Sequence, residues 1–291
     1  MATTLDCLKD YLFPVPFITF SIFYFVLAFL QNPLLPLTNF ESFKEKAFAG
    51  LWLQFGPAFA EQTPPEISTL LSRSRGLILD VGPGSGEQLH RFSHPENITA
   101  IYGVEPGVTL HDKLRESARA AGLGDKYHVI PATADLDSIL PGLVRAGLVN
   151  NADADANESN QNQNQSQNQK QLLSAKDLQL FDEIVCIRVL CGVPDVRASV
   201  ADLYGLLKPG GRFIVCEHVL NSKSTAANLV QRFWMTVGWK RLMGGCELTR
   251  DTLRTFLEVA QDKDGGFAKV EMKQVDEHSM VTHIVGVLTK K

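Results

Sequence analysis

Residues 78–86 read Ile-Leu-Asp-Val-Gly-Pro-Gly-Ser-Gly, an apolar run that leads directly into glycines on alternate positions. The apolar residues from Leu77 to Leu79 predict a buried parallel strand. The glycines predict a turn into a helix that begins near Glu87, and they are Gly82, Gly84 and Gly86. Glycine allows unusual φ/ψ values and lets a ligand approach the main chain closely. The stretch therefore predicts a ligand-binding loop at the carboxyl end of a strand.

The loop differs from the dinucleotide-binding fingerprint, Gly-x-Gly-x-x-Gly, at its last position. That position is Glu87, whose negative charge is unfavourable beside a pyrophosphate at a helix N-terminus. Asp80 precedes the first glycine by two residues, where a carboxylate suits a ligand with a positive charge or an amino group. The loop thus favours a cationic nucleoside, and a nicotinamide-dependent oxidoreductase remains the alternative.

A second acid supports a nucleoside ligand. Residues 98–105 read as the next strand and end on Glu105, 23 residues after Gly82. An acid about 20 residues beyond such a loop accepts hydrogen bonds from ribose hydroxyls. Acids at strand ends are also commonly caps or solvated groups, but together with the glycine spacing Glu105 is predicted to bind a ribose.

Composition limits the possible partners. The chain has 291 residues, of which 45% are hydrophobic, enough for one α/β domain with an appendage. Its net charge is −4 and its 28 Lys and Arg residues are scattered, so nucleic acid is not an expected partner. The 5 cysteines have no Cys-x-x-Cys spacing, which predicts reduced thiols in a cytosol-facing protein and no metal site. They are Cys7, Cys186, Cys191, Cys216 and Cys246.

Residues 1–40 predict a hydrophobic membrane anchor. No charged residue lies between Tyr11 and Phe40, and the phenylalanine-rich part spans residues 13–30. Such a stretch of about 18 uncharged residues is a candidate for contact with a lipid bilayer. Prolines at both ends leave residues 17–30 unbroken, about 21 Å of helix against a hydrocarbon core of about 30 Å. Both a tilted single span and an anchor in one leaflet stay open.

Two other interpretations apply to the same segment. It resembles in composition a buried helix of a soluble domain, and it has the length of a cleaved signal peptide, although the residues before it are not basic. Lys44 and Lys46 follow the segment and favour a cytosolic position for the rest of the chain.

The remainder divides into two parts, the second of which contains an insertion. Residues 41–75 predict an amphipathic helical lead-in that covers the cofactor or extends the membrane contact, and residues 76–291 predict an α/β domain. Residues 150–171 are rich in Asn and Gln without apolar periodicity, which predicts a disordered insertion in a surface loop. Predicted strands alternate with predicted helices, and two late strands, near 268–275 and 281–288, predict a closing hairpin. This order predicts a doubly wound, mostly parallel sheet.

Ligands of such sheets bind outside the carboxyl ends of the strands. Five polar residues fall there in the predicted sheet: Asp80, Glu105, Asp135, Arg188 and Glu217.

Residues 75–290 resemble the class I S-adenosylmethionine-dependent methyltransferases. Residues 79–86 resemble the first motif of that family, Glu105 its ribose-binding acid, and Leu207-Lys-Pro-Gly-Gly211 its turn before the fifth strand. The chain also resembles the membrane-anchored thiol methyltransferase-like group and fungal secondary-metabolite methyltransferases. The stretches that carry the thiol methyltransferase likeness are Val189-Leu-Cys191, Cys216-Glu-His-Val219, Trp239 and Gly245-Cys-Glu-Leu-Thr-Arg250. The Asn/Gln insertion departs from the animal members, so their substrate class does not simply carry over.

The resemblance implies S-adenosyl-L-methionine as the cofactor. It implies that Gly82, Gly84 and Gly86 pack against the methionine part near Asp80. It also implies that Glu105 accepts the ribose hydroxyls, that Ala134 and Asp135 edge the adenine, and that Arg188 borders the sulfonium.

The resulting hypothesis is methyl transfer to an O, S or N atom of a small lipophilic molecule, such as a secondary-metabolite intermediate. His218 and Glu217, neighbours at the end of the fifth strand, are the candidate catalytic residues. His218 is the candidate base, or else it only shapes the pocket. The lipid bilayer is the second predicted partner, through residues 13–30. The catalytic domain is then expected on the cytosolic face of a membrane, the endoplasmic reticulum. A membrane-tethered adaptor with an inactive methyltransferase fold is a further alternative.

Overall fold

The structure is a computed structural model that describes residues 4–149 and 178–291. The predicted insertion at 150–171 lies outside the described residues. The described chain forms one sheet with helices on both faces, preceded by a group of N-terminal helices.

The sheet has seven strands in the order β3-β2-β1-β4-β5-β7-β6. The strands β1 to β5 pair in parallel, whereas β7 pairs antiparallel with both β5 and β6. Their bounds are β1 Gly76–Val81, β2 Ile98–Val104, β3 Tyr127–Ile130, β4 Phe181–Ile187, β5 Leu207–His218, β6 Lys269–Val275 and β7 His283–Thr289. The predicted doubly wound, mostly parallel sheet with a closing hairpin is therefore confirmed.

Eleven α-helices lie within the described ranges and are numbered along them. They are α1 Thr4–Leu12, α2 Pro14–Gln31, α3 Leu35–Thr38, α4 Phe40–Glu61, α5 Glu66–Leu71, α6 His111–Ala120, α7 Leu136–Arg145, α8 Val196–Leu206, α9 Thr225–Val237, α10 Trp239–Leu242 and α11 Thr252–Asp264. Successive side chains of a strand point to opposite faces of the sheet, so neighbouring residues pack in different hydrophobic cores. Leu79 packs in the core under α7, α8 and α11, whereas Ile78 packs in the core under α5 and α6.

Two local predictions were wrong. No α-helix begins near Glu87, because Gly84 and Gly86 hold positive φ values of 62° and 87°, and a turn leads only into the short 3₁₀ helix Leu89–Arg91. The turn at residues 208–211 lies inside strand β5 rather than before it. Its pairing with β4 shifts there, so that these residues bulge from the ladder.

The N-terminal helices dock on the domain. Helix α2 runs antiparallel to α4, since the ring of Phe17 lies 4.6 Å from that of Phe59 and the ring of Phe25 lies 5.5 Å from that of Phe43. The Ser21 hydroxyl donates to a backbone carbonyl at the end of α10 at 2.6 Å. One face of α2 is thus part of the packed structure.

Candidate functional site

The loop after β1 has no room for side chains at two of its glycines. Gly82 and Gly84 have φ values of 63° and 62°, in the left-handed region that favours glycine. A Cβ atom would lie 2.4 Å from the Val189 side chain at Gly82, and 2.5 Å from Trp52 Nε1 at Gly84. At Gly86 the nearest atom to such a Cβ belongs to Ser117 of α6. The main chain of the loop therefore fits closely between its neighbours.

Glu105 follows β2 and holds this loop in place. Its Oε2 accepts the backbone N–H of Gly84 at 2.9 Å, and its Oε1 accepts that of Gly107 at 2.8 Å. Burial raises the pKa of Glu105 to about 7, and the two backbone donors oppose that rise. Each carboxylate oxygen keeps acceptor capacity beyond one bond, so the group is able to accept hydroxyl donors from a ligand as well.

Asp80, the last but one residue of β1, lies beside this acid. It is buried, and the Tyr127 hydroxyl donates to its Oδ2 at 2.8 Å. Burial raises the pKa of Asp80 to about 6, against the lowering effect of that hydrogen bond. Two carboxyl groups with raised pKa values thus lie at the carboxyl ends of adjacent strands, and a cationic ligand would favour their ionised forms.

Helix α4 covers the glycine loop with Trp52. The indole stacks on the ring of Phe59, with 5.7 Å between centroids and 17° between planes. Its Nε1 is buried and has no hydrogen-bond partner among the described residues. A buried N–H without an acceptor is costly, so this donor above Gly84 fits a ligand that carries an acceptor group. Sequence reasoning did not single out Trp52, because a lead-in helix carries no motif.

The loop after β3 contains the segment expected to edge an adenine. Ala134 is buried, and Asp135 caps helix α7 by accepting the Ser138 backbone N–H at 3.0 Å. The Thr133 hydroxyl donates to the other oxygen of Asp135. The Asp135 carboxylate therefore fixes the local backbone.

Arg188, just beyond β4, directs its side chain toward the C-terminal end of α4. Its guanidinium donates to the Phe59 carbonyl at 2.7 Å and to the Thr63 hydroxyl at 2.9 Å, and burial lowers its pKa. Its backbone has a φ of 56°, which is uncommon for a residue other than glycine. Arg188 thus ties the end of α4 to the loop that follows β4.

Glu217 supports that same loop from β5. Its Oε1 accepts the backbone N–H groups of Val189 at 3.0 Å and Leu190 at 2.9 Å, and its Oε2 accepts that of Cys191 at 3.2 Å. The side chain is fully buried, and burial raises its pKa. Glu217 is therefore built into the wall of the site, and it positions Cys191.

His218 meets two cysteines from different loops. Its Nδ1 lies 3.6 Å from Cys191 Sγ and 3.4 Å from Cys246 Sγ. These three side chains form what we call the Cys-His cluster, in which all ligand atoms lie within 4.8 Å of one another and are suited to a metal ion. Sequence spacing had predicted no metal site, because the cluster members are 27 and 28 residues apart and share no motif.

Backbone and side-chain bonds between two loops hold the Cys-His cluster together. The Glu247 backbone N–H donates to the Cys191 carbonyl at 2.9 Å. Arg250 donates to the Val193 carbonyl at 2.6 Å and also to the Leu190 carbonyl. Hydrogen bonding from Cys191 lowers the pKa of the Cys246 thiol, and His218 lowers it further, whereas the pKa of Cys191 is raised. Cys246 is the more acidic thiol of the pair.

Comparison with known proteins identifies a methyltransferase domain in this chain. A family model described as a methyltransferase domain matches residues 54–261. An O-methyltransferase family protein from Burkholderia thailandensis superposes with a TM-score of 0.50 at 15% identity, covering 86% of this chain and 60% of that chain. A candidate O-methyltransferase from Nostoc punctiforme superposes with a TM-score of 0.51 at 14% identity, covering 98% of this chain and 72% of that chain. At these identities the structural matches show the fold alone.

Curated relatives are similar over a shorter part. The chain is 36% identical over 92 residues to thiol S-methyltransferase TMT1B of Rattus norvegicus, which is 32% of this chain and 35% of the relative. It is 33% identical over 97 residues to thiol S-methyltransferase TMT1A of Homo sapiens, 32% of this chain and 36% of the relative. The chain thus spans about a third of the length of the curated relatives it matches.

Proposed function

Because the chain belongs to the methyltransferase domain family and is an S-adenosylmethionine-dependent methyltransferase, we propose that it methylates a small lipophilic acceptor, foremost a thiol, at a membrane surface. This proposal rests on the observation that a single helix, α4, contacts both the apolar helix α2 and the glycine loop. Helix α4 contacts the apolar helix α2 through Phe55 and Phe59, and it covers the glycine loop through Trp52. A lipophilic acceptor that enters along α2 is therefore already beside the cofactor loop.

The residues around the loop fit S-adenosylmethionine. In our proposal Glu105 accepts the ribose hydroxyls, and the backbone of Gly82 and Gly84 contacts the methionine part near Asp80. The Trp52 indole N–H, which lacks a partner among the described residues, donates to an acceptor on the cofactor. When bound, S-adenosylmethionine supplies a methyl group already activated on a sulfonium, so the main tasks of the protein are alignment and exclusion of water.

The other predicted site residues take more indirect roles in this proposal. Ala134 edges the adenine, and Asp135 fixes that segment as the cap of α7. The backbone of Arg188 borders the sulfonium, while its side chain fastens α4. Glu217 positions the loop after β4, and His218 lies where the acceptor presents its reacting atom.

A thiol is the acceptor that the site favours. Two cysteine sulfurs and an imidazole surround the proposed acceptor position, at the carboxyl ends of β4 and β5. Thiolate and imidazole groups together suit metal ions such as Zn²⁺, which in turn bind the sulfur of a thiol. The curated relatives are named thiol S-methyltransferases, although they match over only 32% of this chain. A thiol intermediate of secondary metabolism is one acceptor of this kind.

We further propose that the chain lies on a membrane without crossing it. Residues Leu8–Gln31 are long and apolar enough to cross a bilayer, with a mean hydropathy of 2.1. Crossing would break the contacts of α1 and α2 with the domain, including the Asp10 carboxylate with the Met280 backbone N–H at 2.7 Å. Binding in one leaflet keeps these contacts and buries the exposed side of α2. That side includes Phe20, Ile22, Phe23, Val26, Phe29 and Leu30.

Helix α9 extends this apolar surface. Its exposed large apolar side chains recur every four residues, on one face of the helix, and they are Leu229, Phe233 and Val237. The helix lies next to α1, since the Trp234 indole donates to the Tyr11 carbonyl at 2.9 Å. The exposed face of α2 and these residues of α9 together form what we call the membrane face. We place the catalytic domain on the cytosolic side, at the endoplasmic reticulum, where the cofactor and reduced thiols are present.

An acceptor panel tests the proposed function. The full chain is incubated with cofactor that carries a trideuterated methyl group and with lipophilic thiols, phenols, carboxylic acids and amines in lipid vesicles. Product masses are then read by mass spectrometry. We expect labelled thioethers to form faster than any other product. Labelled products from phenols or amines alone would overturn the thiol assignment, and equal rates on water-soluble and lipophilic thiols would overturn the membrane route.

A further inference from the structure

The Cys-His cluster has the dimensions of a metal site. A tetrahedral zinc ion with Zn–S bonds of about 2.3 Å and Zn–N bonds of about 2.0 Å sets its sulfur and nitrogen ligands about 3.5 Å apart. The Nδ1 atom of His218 lies 3.6 Å from Cys191 Sγ and 3.4 Å from Cys246 Sγ. Both separations therefore match the edge of a tetrahedron around zinc.

The ligand set and its burial narrow the choice of metal. Two thiolates and one imidazole suit Zn²⁺, and they disfavour Mg²⁺ and Ca²⁺, which prefer oxygen ligands. Cys191 is buried, while His218 and Cys246 are partly exposed. An ion held by the three side chains would thus keep one side toward the acceptor position.

The surrounding structure holds the ligands in place before any metal arrives. Glu217 accepts the backbone N–H of Cys191, and it directly precedes His218 in β5. Cys191 accepts the Glu247 backbone N–H through its carbonyl, which joins the loop of Cys191 to that of Cys246. Such supporting bonds orient the ligands of metal sites and strengthen metal binding.

We propose that Cys191, His218 and Cys246 bind one Zn²⁺ ion, whose open fourth position binds the sulfur of the acceptor thiol. This inference rests on the proposed function and names how its acceptor is held. Three protein ligands with an open position are typical of catalytic zinc sites, whereas structural sites have four. His218 then acts as a ligand, in place of the base expected from the sequence.

The step at the zinc ion is a deprotonation. The S–H bond of the acceptor breaks, its proton leaves to water, and a Zn–S bond forms without any change of oxidation state. Metal-bound thiols are deprotonated at neutral pH, and the thiolate is the reactive nucleophile. The thiolate sulfur then takes the methyl group of S-adenosylmethionine: the new C–S bond forms as the methyl–sulfonium bond breaks, and its electron pair stays on S-adenosylhomocysteine. The product is a neutral thioether, which binds zinc more weakly and leaves.

Cobalt and zinc binding test this inference without relying on activity. The full chain in detergent is kept reduced, freed of metal with a chelator, and titrated with Co²⁺ and then Zn²⁺. We expect one Co²⁺ per chain with the absorption of tetrahedral coordination and of thiolate-to-cobalt charge transfer, and displacement by Zn²⁺. Absence of both absorptions in a chain that still binds S-adenosylmethionine would overturn the inference, as would a disulfide between Cys191 and Cys246 in the reduced preparation.

Variants assign the ligands. Cys191→Ser, Cys246→Ser and His218→Ala should each lower zinc affinity by at least the 10- to 100-fold that loss of an outer-shell partner costs, an order-of-magnitude bound. Cys216→Ala is the matched control, since this buried thiol lies in the same strand as His218 but outside the cluster. Unchanged zinc affinity in Cys191→Ser or Cys246→Ser, with an unchanged melting temperature, would contradict the assignment.

Addition of thiophenol to the cobalt form tests the open position. We expect a further shift of the charge-transfer band, which phenol does not cause, and loss of that shift when the thioether product replaces the thiol. No shift would overturn the role in acceptor binding. Methylation of thiols at an unchanged rate by a metal-free chain would refute the role of zinc in holding the acceptor and leave the proposed function standing. Zinc binding with methylation of phenols alone would refute the proposed thiol acceptor.

Discussion

The Glu105 carboxylate accepts the backbone N–H of Gly84 at 2.9 Å, so the acid that ends the second strand directly supports the glycine loop after the first. The bond joins two residues that are 21 positions apart. In the function proposed above, the same side chain also accepts the ribose hydroxyls, which would couple loop geometry to cofactor binding. Substitutions at Glu105 therefore act on both.

Glu105→Ala should weaken S-adenosylmethionine binding by about 1–3 kcal/mol, because hydrogen bonds to a charged acceptor are lost. Calorimetry measures the affinity, and a melting curve checks the fold. Glu116→Ala is the matched control, since Glu116 is exposed on α6 and forms an ion pair with the neighbouring Lys113, away from the glycine loop. Equal affinities of the two variants would contradict the ribose assignment.

Cofactor affinity should rise with pH. Burial raises the pKa of Glu105 to about 7 and that of Asp80 to about 6, and a cationic cofactor favours both ionised groups. Binding therefore releases protons below about pH 7, and affinity should rise up to about tenfold per pH unit for each proton released. Calorimetry in buffers of different ionisation enthalpy measures the protons. Glu105→Gln should flatten the rise near pH 7, and a pH-independent affinity in the original chain would contradict the account.

In the cofactor-free chain, Glu105 and Asp80 make the fold less stable as pH rises, whereas they make cofactor binding stronger. Their pKa values are higher in the folded than in the unfolded state, so the folded chain binds more protons between about pH 4 and pH 7. These two acids therefore make the cofactor-free fold more stable at low pH, and this contribution is lost as pH rises through about 6 to 7. The increase in melting temperature on adding cofactor should be larger at about pH 8 than at about pH 6. An equal increase at both values would argue against ionisation of these acids on binding.

Trp52→Phe should weaken cofactor binding by about 0.5–1.5 kcal/mol, because it removes the indole N–H and keeps an aromatic ring over Gly84. Trp234→Phe serves as the control, since its indole donates to the Tyr11 carbonyl, away from the loop. Calorimetry of both variants measures the difference. A loss of affinity confined to Trp234→Phe would contradict the role of Trp52.

Phe23→Glu combined with Leu30→Glu should release the chain from lipid vesicles in a sedimentation assay. Their side chains are 57% and 69% exposed, so the fold should hold while about 1.5–3 kcal/mol of apolar burial per residue is lost from the bilayer. Val270→Glu with Leu257→Glu is the matched control on exposed positions outside the membrane face. Retention of the first variant on vesicles would contradict the membrane face.

Removing residues 1–40 should abolish vesicle binding and also lower the melting temperature. The loss of stability follows because Phe17 packs on Phe59, and Asp10 bonds the Met280 backbone N–H. Binding of S-adenosylmethionine should persist in the truncated chain, since the sheet and its glycine loop begin only at Gly76. An unchanged melting temperature would show that α1 and α2 do not pack as described.

Local sequence patterns predicted much of the fold and little of the proposed acceptor site. The alternation of strands and helices predicted the sheet, and the spacing of Gly82, Gly84 and Glu105 predicted the residues that the structure brings together. These residues lie close together because they follow β1 and β2, which are adjacent parallel strands, and the sequence pattern predicts such strands directly. The Cys-His cluster is different, because Cys191 and Cys246 lie in loops that follow different elements and come together only through the tertiary structure.

Other differences between the sequence-based predictions and the structure also arise from tertiary packing. Trp52 reaches the glycine loop because α4 crosses over it, and no periodicity in residues 41–75 indicates where the helix docks. Sequence reasoning placed Glu217 beside the chemistry as a catalytic group, whereas its carboxylate is occupied by backbone donors of the loop after β4. Position along the chain predicts which strand end a residue occupies. It does not predict which way the side chain turns.

The most direct test is the initial rate of transfer of a labelled methyl group from S-adenosylmethionine to one lipophilic thiol in vesicles, measured for the original chain, Glu105→Ala and Glu116→Ala. The account predicts a labelled thioether from the original chain and Glu116→Ala at similar rates. We expect a rate about 5- to 160-fold lower for Glu105→Ala at low cofactor concentration, because a loss of about 1–3 kcal/mol in cofactor binding corresponds to that range at tenfold per about 1.36 kcal/mol. No labelled thioether from an original chain that binds the cofactor, or equal rates for all three chains, would contradict it.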